Sequence, residues 1–336
     1  MNKFFLPLLL TILTSSWVSH GAAVAGTGPT LQETQRIELP GVQGRIDHMA
    51  VDLPTRRLFV AALGNNTVEV IDLQTKRLIK SLTGLQEPQG LLLVPEVKQL
   101  VVTNGESVSA RVYDSVRLEP LKDIRLREDN DNIRFDPDSK LSYIGCGVGA
   151  EGALAVVDTQ TNALSGEIAL SGHPESFQLE RKGKRIFVNV PSAHKIEVVD
   201  REKKNVVEAW SVPARGNFPM ALDEEHARLF IGTRSPAKLL VLDTGSGRLV
   251  AEFDSAGDAD DIFYDRDAHR IYVSGGEGFV FVFEQTDPNQ YRLLDKVATR
   301  KGARTSLFVP EWQTLFVALP MGTDGKAEIR AYKITR

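Results

Sequence analysis

From about Arg45 onward the chain repeats itself seven times, and a repeat of this length must be absorbed by an architecture built from like units. The clearest copy reads His48-Met-Ala-Val-Asp52, Arg57-Leu-Phe-Val-Ala61, Thr67-Val-Glu-Val-Ile-Asp72 and Arg77-Leu-Ile-Lys-Ser81. Aligning Asp52 with Val94, Asp136, Glu180, Asp223, Asp265 and Val309 gives spacings of 42 to 44 residues. That period fits four short antiparallel strands, which is one blade of a β-propeller. In the first copy the spacing predicts an inner strand over Met49 to Val51 and a turn at Pro54-Thr55-Arg56. A second strand over Leu58 to Ala62, a Gly-Asn-Asn loop, a third strand over Val68 to Ile71 and an outer strand follow. Val, Ile and Phe fill the strands while Gly, Asn and Asp punctuate them, and helix-length amphipathic segments are absent.

The seventh copy runs from about Gly302 to Ile334, with Asp324-Gly325 before a third strand over Ala327 to Tyr332, and offers no fourth strand. The segment Glu33 to Leu39 is expected to supply it, so that the N-terminal strand pairs with the last blade and closes the ring. Closure removes the sheet edges that an open ring would expose. The predicted fold is therefore all-β, a seven-bladed β-propeller of four-stranded antiparallel blades, occupying residues 26–336 as one domain. With 42% hydrophobic residues among 336, the chain has ample material for such a core.

Residues 1–25 follow different rules. Lys3 gives a positive start, Phe4 to Val18 an apolar stretch broken by Pro7, and Ala23-Val24-Ala25 a small-residue cleavage pattern before Gly26. This reads as a cleaved signal peptide and predicts a periplasmic or secreted protein with no membrane span after cleavage. Cys146 is the only cysteine, so no intramolecular disulfide is available and ring closure must take its place, as the bacterial periplasm permits. Losing Lys3 takes the formal net charge from −4 to −5, a mild acidity that argues against nucleic acid as a partner. The chain is expected to act as a monomer.

The stretch Leu58-Phe-Val-Ala-Ala-Leu-Gly-Asn-Asn-Thr-Val-Glu-Val-Ile-Asp72 resembles the YVTN-family β-propeller repeat, and Val101-Val-Thr-Asn104 in the second copy matches it best. The resemblance covers the repeat region and is specific for architecture rather than activity. It implies an exported protein of a kind that includes surface and periplasmic binding proteins. Related seven-bladed rings include lactonases and the non-haem parts of cytochrome-containing enzymes. The chain has no Cys-x-x-Cys-His, so covalent haem is excluded.

Function must be sought where loops converge on the central channel. The two positions before each inner strand are Asp47-His48, Gln89-Gly90, Asp131-Asn132, Glu175-Ser176, Phe218-Pro219, Asp260-Asp261 and Arg304-Thr305. Five acids, a histidine and an arginine would meet there, and like charges so placed must take up protons, bind a cation or be neutralised by Arg304. Asp47, His48, Asp131, Glu175, Asp260, Asp261 and Arg304 are thus the candidate ligand-binding residues. Asp47, His48, Asp131, Glu175 and Asp260 are candidate ligands for a divalent metal. Oxygen donors suit Ca²⁺, whereas His48 and His173 bias the site toward Zn²⁺. A water-filled acidic funnel is the plain alternative. His48, His173 and Arg304 are the candidates for catalysis, although Asp47 and His48 would point to opposite faces if both lay on a strand. His194, Arg215, Arg234 and Glu277 lie in loops that could reach the rim.

Other features carry less. Asp72, Asp114, Asp158, Asp200 and Asp243 recur at the ends of third strands and read as turn caps. Cys146 reads as a small buried residue. Gly145-Cys-Gly147-Val-Gly149 is not followed by a helix, so it is no dinucleotide loop. Arg181-Lys-Gly-Lys-Arg185 and Arg201-Glu-Lys-Lys204 gather positive charge on the face opposite the mouth.

The leading reading is an exported binding scaffold whose channel mouth takes a small polar ligand, a cation or a protein partner. The alternative is a metal-assisted hydrolase or lyase acting on a lactone or sugar-like substrate. An accessory role in periplasmic electron transfer is a third reading.

Overall fold

In the computed structural model, which describes Met1 and residues 29–335, seven four-stranded antiparallel sheets stand around a central channel. The expected signal peptide lies outside the described residues except for Met1. Blades one to six span residues 49–82, 88–125, 133–169, 177–211, 215–254 and 259–298. The seventh takes three strands from residues 306–334, and Leu31–Leu39 supplies its outer strand. This strand runs antiparallel to Ala327–Ile334, in register from Leu31 opposite Ile334 to Leu39 opposite Ala327. Among the described residues the helical elements are four single 3₁₀ turns, and no helix is long and apolar enough to cross a membrane.

Burial follows position in the blade. The second and third strands, such as Arg57–Ala62 and Thr67–Asp72, are covered on both faces by neighbouring blades and are almost wholly buried. Outer strands such as Arg77–Leu82 are mostly exposed. The apolar core is accordingly a set of seams between consecutive blades. One seam packs Phe187, Val198 and Trp210 of blade four against Met220, Leu229 and Leu240 of blade five. Another joins Ile37, Leu39 and Ile329 of the last blade to Leu58, Val60 and Ile71 of the first, so ring closure is also hydrophobic burial.

The aligned repeat position falls at the end of the inner strand in six blades, and Glu180 sits one residue beyond it in the fourth. At the same end of the blades, away from the mouth, the third-strand aspartates cap turns. The Oδ1 of Asp72 accepts from the amides of Gln74 and Thr75, at 2.7 and 2.9 Å, and Asp114, Asp158 and Asp200 each accept from two amides in the same way. Asp243 takes the Gly245 amide and the Ser246 hydroxyl. The positive charge on that face is largely paired: Arg185 with Glu180, Arg201 with Asp136, and Lys184 with Glu202 and Asp200.

Candidate functional site

The acids at the channel mouth are placed by one repeated backbone device. The Asp47 amide donates to the Ala61 carbonyl at 2.7 Å and the Ala61 amide donates back to His48 at 3.0 Å. Asp131 with Gly145 and Asn132, and Glu175 with Asn189 and Ser176, repeat it. These residues therefore pair with the second strand just before the regular inner strand begins, which sets their side chains on the rim. Blade six differs. Its inner strand starts earlier, at Ala259, and its register shifts between Ala259 and Asp261. Such a bulge re-aims a side chain. Asp260 turns into the mouth, while Asp261 accepts from the Ser306 amide at 2.8 Å and lines the channel. Blade two contributes only Gln89-Gly90 here. A Cβ on Gly90 would lie 2.4 Å from the Asp131 carbonyl oxygen, so the close approach of blade three requires glycine.

Asp47, His48, Asp131, Glu175 and Asp260, with Arg45, Asn132, Ser176 and Phe218, surround a recess of about 10 Å³. That is the space one water or one ion fills. Beneath it a cavity of about 340 Å³ runs down the channel, lined by inner strands of all seven blades, including Arg134, Gln178 and Tyr264. His48 borders both.

Five carboxylates face four cations here, Arg45, Arg234, His48 and the channel residue Arg134, and the charges are unevenly matched. Arg45 binds Asp47 at 2.8 Å and lies 3.8 Å from Asp260. Arg234 reaches Asp260 at 2.6 Å and lies over the ring of Phe218, 3.7 Å from its centroid. The His48 ring sits among three acids, with Nδ1 3.5 Å from Asp261 and Nε2 3.6 and 3.9 Å from Asp47 and Asp131. By contrast, neither Asp131 nor Glu175 accepts a side-chain hydrogen bond at its carboxylate among the described residues, and Glu175 has no ion pair there. Burial raises both acids above the usual carboxylate range. The His48 charge opposes the rise at Asp131, and neighbouring Asp131 and Asp260 add to it at Glu175. Asp260 is pushed up to about 6 by burial and by Asp47, against the pull of Arg234 and Arg45.

Two sequence expectations change. Arg304 does not neutralise the recess: its guanidinium pairs with Asp258 at 2.9 and 3.0 Å, outside the ring of acids, and Arg45 and Arg234 serve the recess instead. Asp47 and His48 do not point apart, because both precede the regular strand that starts at Met49. His48 keeps its place at the rim, among three acids that favour its charged form. Burial works to lower its pKa, but Asp261, Asp47 and Asp131 outweigh it and push the value up to about 10.

His173 occupies a different position. One donor atom from each of Asp131, His173 and Glu175 lies within 4.8 Å of the others. The His173 Nδ1 is 2.7 Å from the Gly147 carbonyl oxygen, with Asp129 at 3.4 Å. Of the loop residues expected near the rim, Arg234 arrives, whereas His194 and Arg215 line a separate shallow pocket and Glu277 is exposed. Arg45 and the channel residue Arg134 were missed. Arg45 stands two residues before Asp47, and Arg134 two beyond Asn132 on an inner strand, positions whose signal is visible only once the blade register is known. Cys146 is buried, its thiol pushed up to about 11 chiefly by burial.

A closed seven-bladed β-propeller with a buried, incompletely neutralised acidic mouth is the class of protein defined here. No family model matches the chain, and no curated protein matches it. Among solved structures it is similar to a chain of Kuenenia stuttgartiensis hydrazine synthase, with a TM-score of 0.73 and 16% identity over 87% of this chain and 98% of that one. It is also similar to a chain of the mitotic checkpoint complex, with a TM-score of 0.74 and 12% identity over 100% of both. At these identities the likeness is one of fold.

Proposed function

We propose that this protein is an exported binding scaffold of the YVTN-repeat kind, working in the periplasm or outside the cell, whose channel mouth holds a small polar or cationic ligand. The observation that carries the reading is the mismatch of charge at the mouth. Two of five acids, the buried Asp131 and the half-buried Glu175, lack a hydrogen-bond donor at their carboxylates among the described residues. Burying carboxylates in this state opposes folding, and a bound ligand offsets that cost. The three remaining acids are held by Arg45, Arg234 and His48, which fixes the shape of the recess around the open pair. Export rests on the sequence of residues 1–25.

The test is native mass spectrometry of the protein recovered from a periplasmic fraction without chelator, beside the Asp47→Asn/Asp131→Asn double variant. A retained low-mass species that the variant loses supports the reading. A species held equally by both proteins would place binding elsewhere. A mature chain beginning at Gly26 is the expected product of export, and recovery of the intact N-terminus in the cytoplasm would contradict it.

A further inference from the structure

We propose that Asp131, His173 and Glu175 form a site for one divalent first-row transition-metal ion of the Zn²⁺ kind. This rests on the reading of the mouth as a binding site and names its occupant. Two carboxylates and an imidazole are a donor set that such ions favour, whereas Ca²⁺ seeks six to eight oxygen ligands.

The three donors come from two adjacent blades and lie within 4.8 Å of one another. Asp131 is only 6% exposed, and no donor reaches its carboxylate within hydrogen-bond distance among the described residues. Its nearest cationic neighbour is the His48 Nε2 at 3.9 Å. The orientation of His173 is an independent indication. A carbonyl oxygen can only accept, so the 2.7 Å contact with Gly147 makes Nδ1 the donor and leaves the lone pair of a neutral ring on Nε2. Metal-binding histidines are commonly oriented in this way, by a carbonyl on the second ring nitrogen.

Gly147 is itself fixed by the fold. Its φ is +91°, and a Cβ there would lie 2.1 Å from the Glu151 carbonyl oxygen. One of the closely spaced glycines of this loop, Gly147, thereby gains a role that sequence did not assign. The adjoining recess has room for about one small occupant, and the other mouth acids are engaged by arginines or by His48. Three protein ligands would leave coordination positions open to water or a second ligand.

The experiment is titration of untagged, chelator-stripped full chain with Co²⁺ and Zn²⁺, followed by calorimetry and by the visible absorption of Co²⁺. One ion per chain is expected. H173A and E175Q should each weaken binding by about a hundredfold, at or beyond the top of the range for loss of an outer-sphere partner. H194A, at an exposed histidine outside the site, should leave it unchanged. Circular dichroism establishes that each variant folds, and E175Q, which keeps the side-chain shape, decides the matter if H173A does not fold. No saturable binding of either ion, or stoichiometric binding that E175Q and H173A leave intact, would overturn the site. If no metal binds but a ligand sensitive to Asp47→Asn/Asp131→Asn is retained, the metal site falls and the binding scaffold stands. If neither is found, both fall.

Discussion

Aspartates at the two ends of the blades meet opposite fates. At the turns away from the mouth, Asp72, Asp114, Asp158 and Asp200 each accept two backbone amides, and these hydrogen bonds hold their carboxyls below the usual range. At the mouth, burial and neighbouring acids drive Asp131, Glu175 and Asp260 the other way. The first group supports the fold, since its charge is already satisfied by the chain. The second group weighs against the fold unless something else supplies the missing positive charge. Residue type alone does not separate structural acids from functional ones, whereas the supply of donors does.

The largest effect should come from removing a cation at the mouth. Arg234→Ala leaves Asp260 with only the more distant Arg45 and removes one of the cations near Asp258, and a loss of about 3 kcal/mol in denaturant unfolding is expected. Adding Asp260→Asn should recover part of it; if the double variant is no better than the single, charge is not the cause. Gly90→Ala should cost about 2 kcal/mol by pressing on the Asp131 backbone, measured by the same unfolding curves.

The pH dependence should also differ between the two ends. Asp260 has a folded pKa of about 6 against an ordinary 3.8, so its contribution to stability is full below 3.8 and is lost as pH rises through 6. Asp260→Asn should therefore gain on the wild type by on the order of 2 kcal/mol between pH 4 and pH 8 in thermal melts of metal-free protein. For the turn acids, whose pKa values are lowered, stability is present above the ordinary carboxylate range and lost as pH falls through their folded values. The smallest effect belongs to a single turn. Asp243→Ala should cost about 1 kcal/mol, and a cost equal to that of Arg234→Ala would erase the distinction.

The fold was legible because its signal is repeated. The Asp52-equivalent positions fix the blade register, and alternation of apolar strands with Asp, Asn and Gly turns fixes the strands. Ring closure by the segment ending at Leu39 could be inferred because the last copy lacked an outer strand. The site was legible only as a set of positions. Asp47, Asp131, Glu175 and Asp260 do converge, because equivalent positions of different blades must meet at one end of the channel. Which acids are neutralised could not be read. That depends on side-chain reach across blades, as when Arg234 crosses to Asp260 and Arg304 turns away to Asp258. His173 gained its place from a carbonyl in another blade, at Gly147, a contact that no sequence spacing encodes.

The most direct measurement compares thermal melting of metal-free wild type at pH 8 with two double variants, Asp131→Asn/Glu175→Gln at the mouth and Asp72→Asn/Asp158→Asn at the turns. The mouth variant should melt above the wild type and the turn variant below it. A mouth variant that melts below the wild type would mean that these acids serve the fold, and the case for a binding site there would be lost.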